Sequence, residues 1–222
     1  MKAMMPRKRP NPAQACHDLS RQRLSAYAGA TDQEKLTQYA KNVKLSEALY
    51  PVLQTLEVVL RNRVEEALQG QFGSAWYSAP DFQALVTPRT WDTVQKAIRD
   101  LDARRRTVSS GAVVAELSFG FWTHLFIGRY ETGFYTPNVG VLLPYAPPSR
   151  RSRAYVQREL DMVRRLRNRV FHHEPILNRP TLLQDYARIL SRGQKWRGSR
   201  ETRVQAHGWA WSARREGHPG HV

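Results

Sequence analysis

The sequence predicts an all-helical protein. Apolar residues recur at intervals of three and four positions, for example from Leu49 to Ala67 and from Val156 to Val170, and this is the period of an amphipathic helix. No stretch shows the sustained alternation of apolar and polar residues that is typical of a half-buried strand. The chain has 222 residues, of which 41% are hydrophobic. This length is enough for one core, so we expect one globular unit with extensions.

Three helices are predicted in the first half of the chain. A capping box at Thr31–Glu34 marks the start of the first, because this residue pattern satisfies free N–H groups of a first turn. A long core helix follows over residues 45–70, with Pro51 as its start or as a kink. Thr87-Pro88 begins a third helix, which ends at the basic run Arg104–Arg106.

The second half is predicted to contain three more helical stretches. An aromatic-rich helical pattern covers residues 114–126, and the glycine- and proline-bearing stretch 133–148 breaks it. We expect that stretch to be a long connecting loop. A helix over 153–173 must end there because Pro175 cannot continue it. A last helix carries the periodic apolar residues of 182–190.

These patterns divide the chain into three parts. Residues 1–30 are predicted to be a flexible basic lead-in, 31–190 the helical domain, and 191–222 an irregular tail rich in Arg, Gly and Trp. The lead-in lacks a sustained apolar period, and it either touches phosphate or is a solvated extension. The tail also lacks a usable period. A shifted reading frame near residue 190 is one explanation for its composition.

The charge of the chain favours a polyanionic partner. Thirty-five Lys and Arg against 19 Asp and Glu give a formal net charge of +16 and a pI near 10.6. Such a field attracts nucleic acid, although membrane-surface proteins and Arg-rich chains in general share it. The single Cys16 cannot form an internal disulfide, and neither a signal peptide nor a stretch of ~20 apolar residues is present. We therefore expect a cytoplasmic protein that has no membrane segment.

A candidate catalytic centre lies at residues 167–174. Asn168 and His172 are four positions apart and share a helix face, and the long side chain of Arg167 reaches the same helix end. Imidazole titrates near pH ~6.5 and can move the proton of a 2′-hydroxyl or of a leaving group. A guanidinium grips two phosphate oxygens and stabilises charge in the transition state. These residue types fit the cleavage of RNA.

This chemistry requires neither a metal ion nor a cofactor if the attacking group is the 2′-hydroxyl of the RNA itself. The products then carry a 2′,3′-cyclic phosphate and a 5′-hydroxyl, and DNA is resistant. The Arg/His spacing alone is not specific in so basic a chain. A solvated basic face, with a helix-end histidine stabilised by the helix dipole, gives the same pattern.

Three blocks of the sequence together resemble the Abi-like family of abortive-infection proteins, which belongs to the HEPN superfamily. The resemblance covers about residues 30–190, with the blocks in the order that is typical of the family. They are Glu57–Asn62 (EVVLRN), Glu116–Trp122 (ELSFGFW) and Arg167–Ile176 (RNRVFHHEPI).

The resemblance implies a HEPN-like helical bundle that forms a homodimer with its paired motifs facing each other. It also implies a metal-independent endoribonuclease of phage defence or of a toxin–antitoxin system, with RNA as substrate and an antitoxin or regulatory RNA as a possible partner. Arg167, Asn168 and His172 match the superfamily motif as catalytic residues, and His173 ranks second as the catalytic histidine. Its alternative role is that of a helix-end cap.

Four further residues are predicted to bind substrate or to brace the site: Glu57, Arg61, Asn62 and Arg169. Glu57 and Arg61 lie one helical turn apart, so they form an internal ion pair, or Arg61 is presented to RNA. The aromatic residues of the second block either stack on bases or fill the core, and their helical spacing favours the core.

Two other functions compete with the ribonuclease. The first is a catalytically silent RNA-binding or regulatory protein of HEPN-like fold, which the charge and the unusual tail favour. The second, a DNA-binding regulator, lacks support because no helix-turn-helix pattern or zinc-ligand spacing is found.

Overall fold

The fold is given by a computed structural model that describes the backbone of residues 11–197 and the side chains of residues 11–189. Within this range the chain is helical and has no strand, which confirms the predicted all-helical class. The α-helices are α1 (Pro12–Asp18), α2 (Arg21–Leu24), α3 (Asp32–Phe72), α4 (Pro80–Leu85), α5 (Pro88–Ala103), α6 (Ser110–Glu116), α7 (Phe119–His124), α8 (Thr136–Leu142), α9 (Arg153–Phe171) and α10 (Leu182–Arg197).

Helix α3 is the axis of the fold. It spans 41 residues, about 60 Å, and contacts α1, α2, α7, α8, α9 and α10. The capping box predicted at its start is present: the Thr31 hydroxyl accepts a hydrogen bond from the Glu34 N–H (3.2 Å), and the Glu34 carboxylate accepts one from the Thr31 N–H (3.3 Å). Pro51 is not the start of a helix, one of the two roles expected for it, because it lies inside one continuous helix. Pro51 and Glu47, whose carbonyl loses its helical donor, are both exposed, so water can satisfy that carbonyl.

The main core forms around the buried face of α3. Many aromatic residues contribute to it, and the largest fully buried side chains include Trp76, Trp122, Tyr130, Phe82, Phe126 and Phe134. The second sequence block contributes to it through Phe119, Phe121 and Trp122, all of which are buried. The expectation that this block fills the core is therefore confirmed.

The stretch 133–148 is not the long loop that the sequence predicts. A π-helical turn, Glu131–Tyr135, continues into α8. Pro137, which has no N–H, stands in the first turn of α8, and the carbonyl of Gly133, four positions earlier, accepts a hydrogen bond from the Gln71 side chain (2.8 Å). The amide of Asn138 donates hydrogen bonds to Gln71 on α3 (2.5 Å) and to the Phe134 carbonyl (2.8 Å). Helical structure therefore covers 133–142, and the part of the predicted loop that has no helix is limited to 143–147.

Residues 11–30 also differ from the predicted flexible lead-in. Helices α1 and α2 dock on the start of α3 and bury Cys16, Leu24 and Tyr27 in a small core that is separate from the main one. The helices are too short to show a sustained apolar period, which explains why the pattern misses them. Residues 1–10 of the predicted lead-in lie outside the described residues.

Helix α10 continues past residue 190, where the sequence predicts the irregular tail to begin. Its start is fixed by the buried carboxylate of Asp185, which accepts hydrogen bonds from Arg179 (2.7 Å) and from the Thr181 hydroxyl (2.9 Å). Residues 198–222 of the predicted tail are outside the described range. Of the helices in the described part of the chain, none combines the length and the apolar character needed to cross a membrane.

The two separate cores predict different effects of two leucine truncations. Leu24→Ala should increase hydrogen exchange of the amides in α1 and α2 with little loss of global stability, because the small core holds only these two helices on α3. Leu68→Ala, in the main core, should lower the free energy of unfolding by about 2–5 kcal/mol. Hydrogen-exchange mass spectrometry and chemical denaturation measure the two effects. An equal loss of global stability in both variants would contradict this division of the core.

Candidate functional site

The last turn of α9 carries the predicted catalytic residues. The helix contains six arginines and two acidic residues. Its apolar residues face the core and fix its rotation, and four of its six arginines are exposed. The buried residues are Val156, Leu160, Met162, Val163, Leu166 and Val170.

Arg167 is held in place by α3 and by an aromatic ring. Its Nε donates to the Glu57 carboxylate at 3.2 Å, and the two side chains are only 24% and 22% exposed. Its guanidinium also lies over the Phe171 ring, 4.2 Å from the ring centroid, in a cation–π contact. Among the described ion pairs Glu57 has this partner and not Arg61, so the predicted Glu57–Arg61 pair is wrong. The first and third sequence blocks therefore meet through a contact between residues 110 positions apart.

Asn168 and His172 lie at the same helix end as Arg167. The His172 N–H donates to the Asn168 carbonyl at 2.8 Å, so His172 is the C-cap of α9. The side-chain oxygen of Asn168 is 3.5 Å from Nη1 of Arg167. Asn168 and His172 are exposed, whereas Arg167 is half-buried. The turn thus combines one fixed guanidinium with an amide and an imidazole that are open to solvent.

His173 adopts a backbone conformation that usually belongs to glycine. Its φ is +56°, in the left-handed region. The His173 N–H donates to the Val170 carbonyl (3.2 Å), and the Glu174 N–H donates to the Arg169 carbonyl (2.8 Å). These two hydrogen bonds form a Schellman cap. The alternative role that the sequence left open for His173, a helix-end cap, therefore matches its position.

Asn42 anchors the segment that follows the cap. This α3 residue is 3% exposed, and its side-chain oxygen accepts from the Ile176 N–H (2.7 Å) and the Leu177 N–H (3.1 Å). Sequence reasoning missed Asn42. The available signal was its spacing, because Asn42 continues the helical period of Leu45, Leu49 and Leu53 and is polar where the pattern calls for an apolar side chain. A polar residue at a core position is normally there to satisfy buried backbone groups.

The other predicted binding residues are distributed around this turn. Arg61 is half-buried, and its Nε has no hydrogen-bond partner. Asn62 is exposed on α3. Arg169 turns toward its own helix end, where its Nη1 donates to the Pro175 carbonyl (3.3 Å) and its Nε lies 3.8 Å from the Glu174 carboxylate. Arg61 is thus the one of these three with a buried donor that lacks a partner, and Arg169 stabilises the cap.

A further histidine, His124 at the end of α7, lies outside the motif. It is half-buried, and its ring contacts Tyr130 in a T-shaped arrangement at 5.7 Å. Burial lowers the pKa of His124, and the nearby cations Arg164 and Arg89 lower it further, which favours the neutral imidazole. In the ranges that the structure describes, no group of three or more His, Cys, Asp or Glu residues is placed to hold a metal ion.

Asn42→Ala should lower the free energy of unfolding by about 1–3 kcal/mol, because it leaves the buried Ile176 N–H without an acceptor. It should also increase hydrogen exchange at residues 174–177. Chemical denaturation and exchange mass spectrometry measure both effects. Asn62→Ala is the matched control, since this exposed asparagine on the same helix should change stability by less than about 0.5 kcal/mol. Unchanged protection at 174–177 in Asn42→Ala would refute the anchoring role.

His173→Gly should stabilise the protein by about 0.5–1 kcal/mol. Glycine removes the cost of a left-handed conformation for a residue with a Cβ, and its extra freedom in the unfolded chain offsets only part of that gain. Thermal and denaturant unfolding of the variant measure the gain. A destabilised variant would contradict the cap geometry.

No protein-family model, curated protein or solved structure matches this chain. Family membership therefore remains an expectation from the three sequence blocks. What the chain does has to be inferred from the geometry of the α9 turn.

Proposed function

We propose that the protein is a metal-independent endoribonuclease whose active centre is the last turn of α9. One observation carries the proposal: Glu57 and Phe171 hold the guanidinium of Arg167 in the same helical turn as the exposed residues Asn168 and His172. A guanidinium fixed before substrate arrives stabilises a charged transition state without reorganisation. An arginine that was merely part of a solvated basic face would not need two partners.

Arg167 is oriented to bind a phosphate through its terminal nitrogens. Glu57 occupies Nε, so the end of the guanidinium that carries Nη1 and Nη2 is available to two phosphate oxygens. Asn168, whose oxygen lies at the edge of hydrogen-bonding distance from Nη1, keeps that end in place or donates its own amide to the phosphate. Arg61, one helical turn after Glu57 on α3, would supply a second cation.

His172 supplies the proton chemistry. As the C-cap of α9 it is exposed and beside Asn168, so it can approach the sugar of an RNA strand whose phosphate rests on Arg167. The 2′-oxygen forms a bond to phosphorus, and the neutral imidazole accepts the proton of the 2′-hydroxyl. The bond from phosphorus to the 5′-oxygen breaks, and that oxygen takes a proton from a second acid. Arg167 stabilises the negative charge that the phosphoryl oxygens gain in between.

The cleavage step needs a second acid to protonate the leaving 5′-oxygen. The resemblance to the Abi-like family of the HEPN superfamily offers a source for it. A homodimer with paired motifs would place a second His172 near the same phosphate, whereas within one chain His173 is the other imidazole of the turn. RNA as substrate, a role in phage defence or in a toxin–antitoxin system, and restraint by an antitoxin or regulatory RNA belong to this proposal through the sequence resemblance. The net charge of +16 supports RNA as the partner.

Substitutions in the turn should abolish cleavage of a single-stranded RNA measured in EDTA. Arg167→Ala is expected to slow cleavage by about 10²–10³-fold, the effect of losing one preorganised charge donor. His172→Ala is expected to slow it by about 10²–10⁴-fold, the effect of losing a general base. Arg167→Lys should recover little, since lysine cannot form the two-pronged contact. A substrate with a single ribonucleotide in DNA should be cut only after that ribonucleotide.

Two controls separate chemistry from charge. Arg158→Ala removes one exposed cation elsewhere on α9, and His17→Ala removes an exposed histidine on α1; both should retain nearly full activity. Cleavage that survives both Arg167→Ala and His172→Ala would refute the proposal, as would inhibition by EDTA. RNA binding with no cleavage by the wild-type chain would instead support the silent RNA-binding protein.

A further inference from the structure

Tyr50 is an exposed aromatic residue that lies against the proposed active centre. It is 45% exposed, and among the described residues only Tyr50 and Tyr145 are exposed aromatic side chains of the Phe, Trp or Tyr type. An amphipathic helix in a well-packed domain normally buries such a ring. The position of Tyr50 on α3 therefore calls for a ligand or a partner.

The geometry of its contact with Phe171 is unusual in this protein. The two rings stack with their centroids 4.7 Å apart and their planes 18° from parallel. The other aromatic pairs in the described part of the chain are T-shaped or tilted. A parallel stack that ends in an exposed ring offers a flat apolar surface for a further planar group.

The stacked rings of Tyr50 and Phe171 lie next to the proposed catalytic residues of α9. Phe171 contacts Tyr50 on one hand and the guanidinium of Arg167 on the other, and His172 follows it in the chain. Tyr50 also lies two helical turns before Glu57 on one face of α3, about 10 Å away along the helix axis. A planar group on Tyr50 is therefore within one or two nucleotide units of a phosphate on Arg167.

We propose that Tyr50 is a stacking platform for a nucleobase of single-stranded RNA, next to the phosphate that Arg167 holds. This inference rests on the proposed function for the identity of the ligand. A nucleotide joins a flat ring to a negative charge, and the surface offers an open aromatic ring beside a guanidinium. Because every base has a π-face, such a platform binds all four bases and positions the strand without reading its sequence.

The test is the binding of an oligonucleotide that cannot be cleaved, in which every 2′-hydroxyl is methylated. Fluorescence anisotropy gives its Kd for the wild-type chain and for the variants, with and without one abasic position moved along the strand. Tyr50→Ala should weaken binding of the intact strand by about 5- to 100-fold, and Tyr50→Phe should bind within about twofold of wild type. Tyr145→Ala, which truncates the other exposed tyrosine, is the matched control and should bind like wild type.

The decisive measurement is whether the effects of the abasic position and of Tyr50→Ala on the Kd add or overlap. One abasic position should weaken binding by the wild-type chain about as much as Tyr50→Ala does, and the same abasic strand should lose nothing further in Tyr50→Ala. Equal abasic penalties in wild type and Tyr50→Ala would overturn the proposal. A shift of Tyr50→Ala from dimer to monomer in light scattering, with those penalties unchanged, would assign Tyr50 to an interface between copies of the chain.

Cleavage of unmodified RNA, measured in parallel, separates this inference from the proposed function. Cleavage without the non-additivity refutes the stacking platform and leaves the ribonuclease. Non-additivity without cleavage refutes the ribonuclease and leaves the platform. A wild-type chain that neither binds the methylated oligonucleotide nor cleaves unmodified RNA contradicts both.

Discussion

The contact between Arg167 and Glu57 is the interaction on which the proposed site depends. It joins α9 to the long helix α3 at 3.2 Å, and both side chains are mostly withdrawn from water. A pair that is still partly exposed contributes little net stability, on the order of 0–1 kcal/mol. What the pair does is hold the guanidinium of Arg167 in place. Arg167 is one of six arginines on α9, and its contacts with Glu57 and the Phe171 ring restrict the rotamers of its side chain.

The helix end beside this pair is built for a fixed shape at some cost in stability. A C-terminal end of a helix carries partial negative charge, which disfavours a bound phosphate, so the cation of Arg167 has to outweigh it. His173 occupies a left-handed position that a glycine would fill without strain. Asn42 is polar inside the core and fixes Ile176 and Leu177. Local strain held by surrounding contacts is a common feature of functional sites.

Local chemistry explains what the sequence was able to predict. The capping box at Thr31 and the proline after α9 act within a few residues, so they set the start of α3 and the end of α9 as expected. Pro51 does not start a helix because its exposed position lets water satisfy the Glu47 carbonyl. The stretch 133–148 misled because a side chain of α3 satisfies the Gly133 carbonyl, four positions before Pro137. Short helices such as α1 carry too few residues to show a period.

The site was predictable only in part, for a similar reason. Helical spacing places Asn168 and His172 together, and the sequence blocks single out Glu57. The partner of Glu57 is 110 positions away, however, and spacing along α3 suggested Arg61 instead. Asn42 and Tyr50 act on residues about 120 to 135 positions further along the chain, and no local pattern reveals such contacts.

The chemical identity of the RNA ends tests the central claim most directly. Mass spectrometry of the fragments produced by the purified chain in EDTA would identify them. Attack by the 2′-hydroxyl, with Arg167 on the phosphate and His172 as base, predicts 2′,3′-cyclic phosphate and 5′-hydroxyl ends. Fragments with 5′-phosphate and 3′-hydroxyl ends would mean that water is the nucleophile, and they would contradict the account.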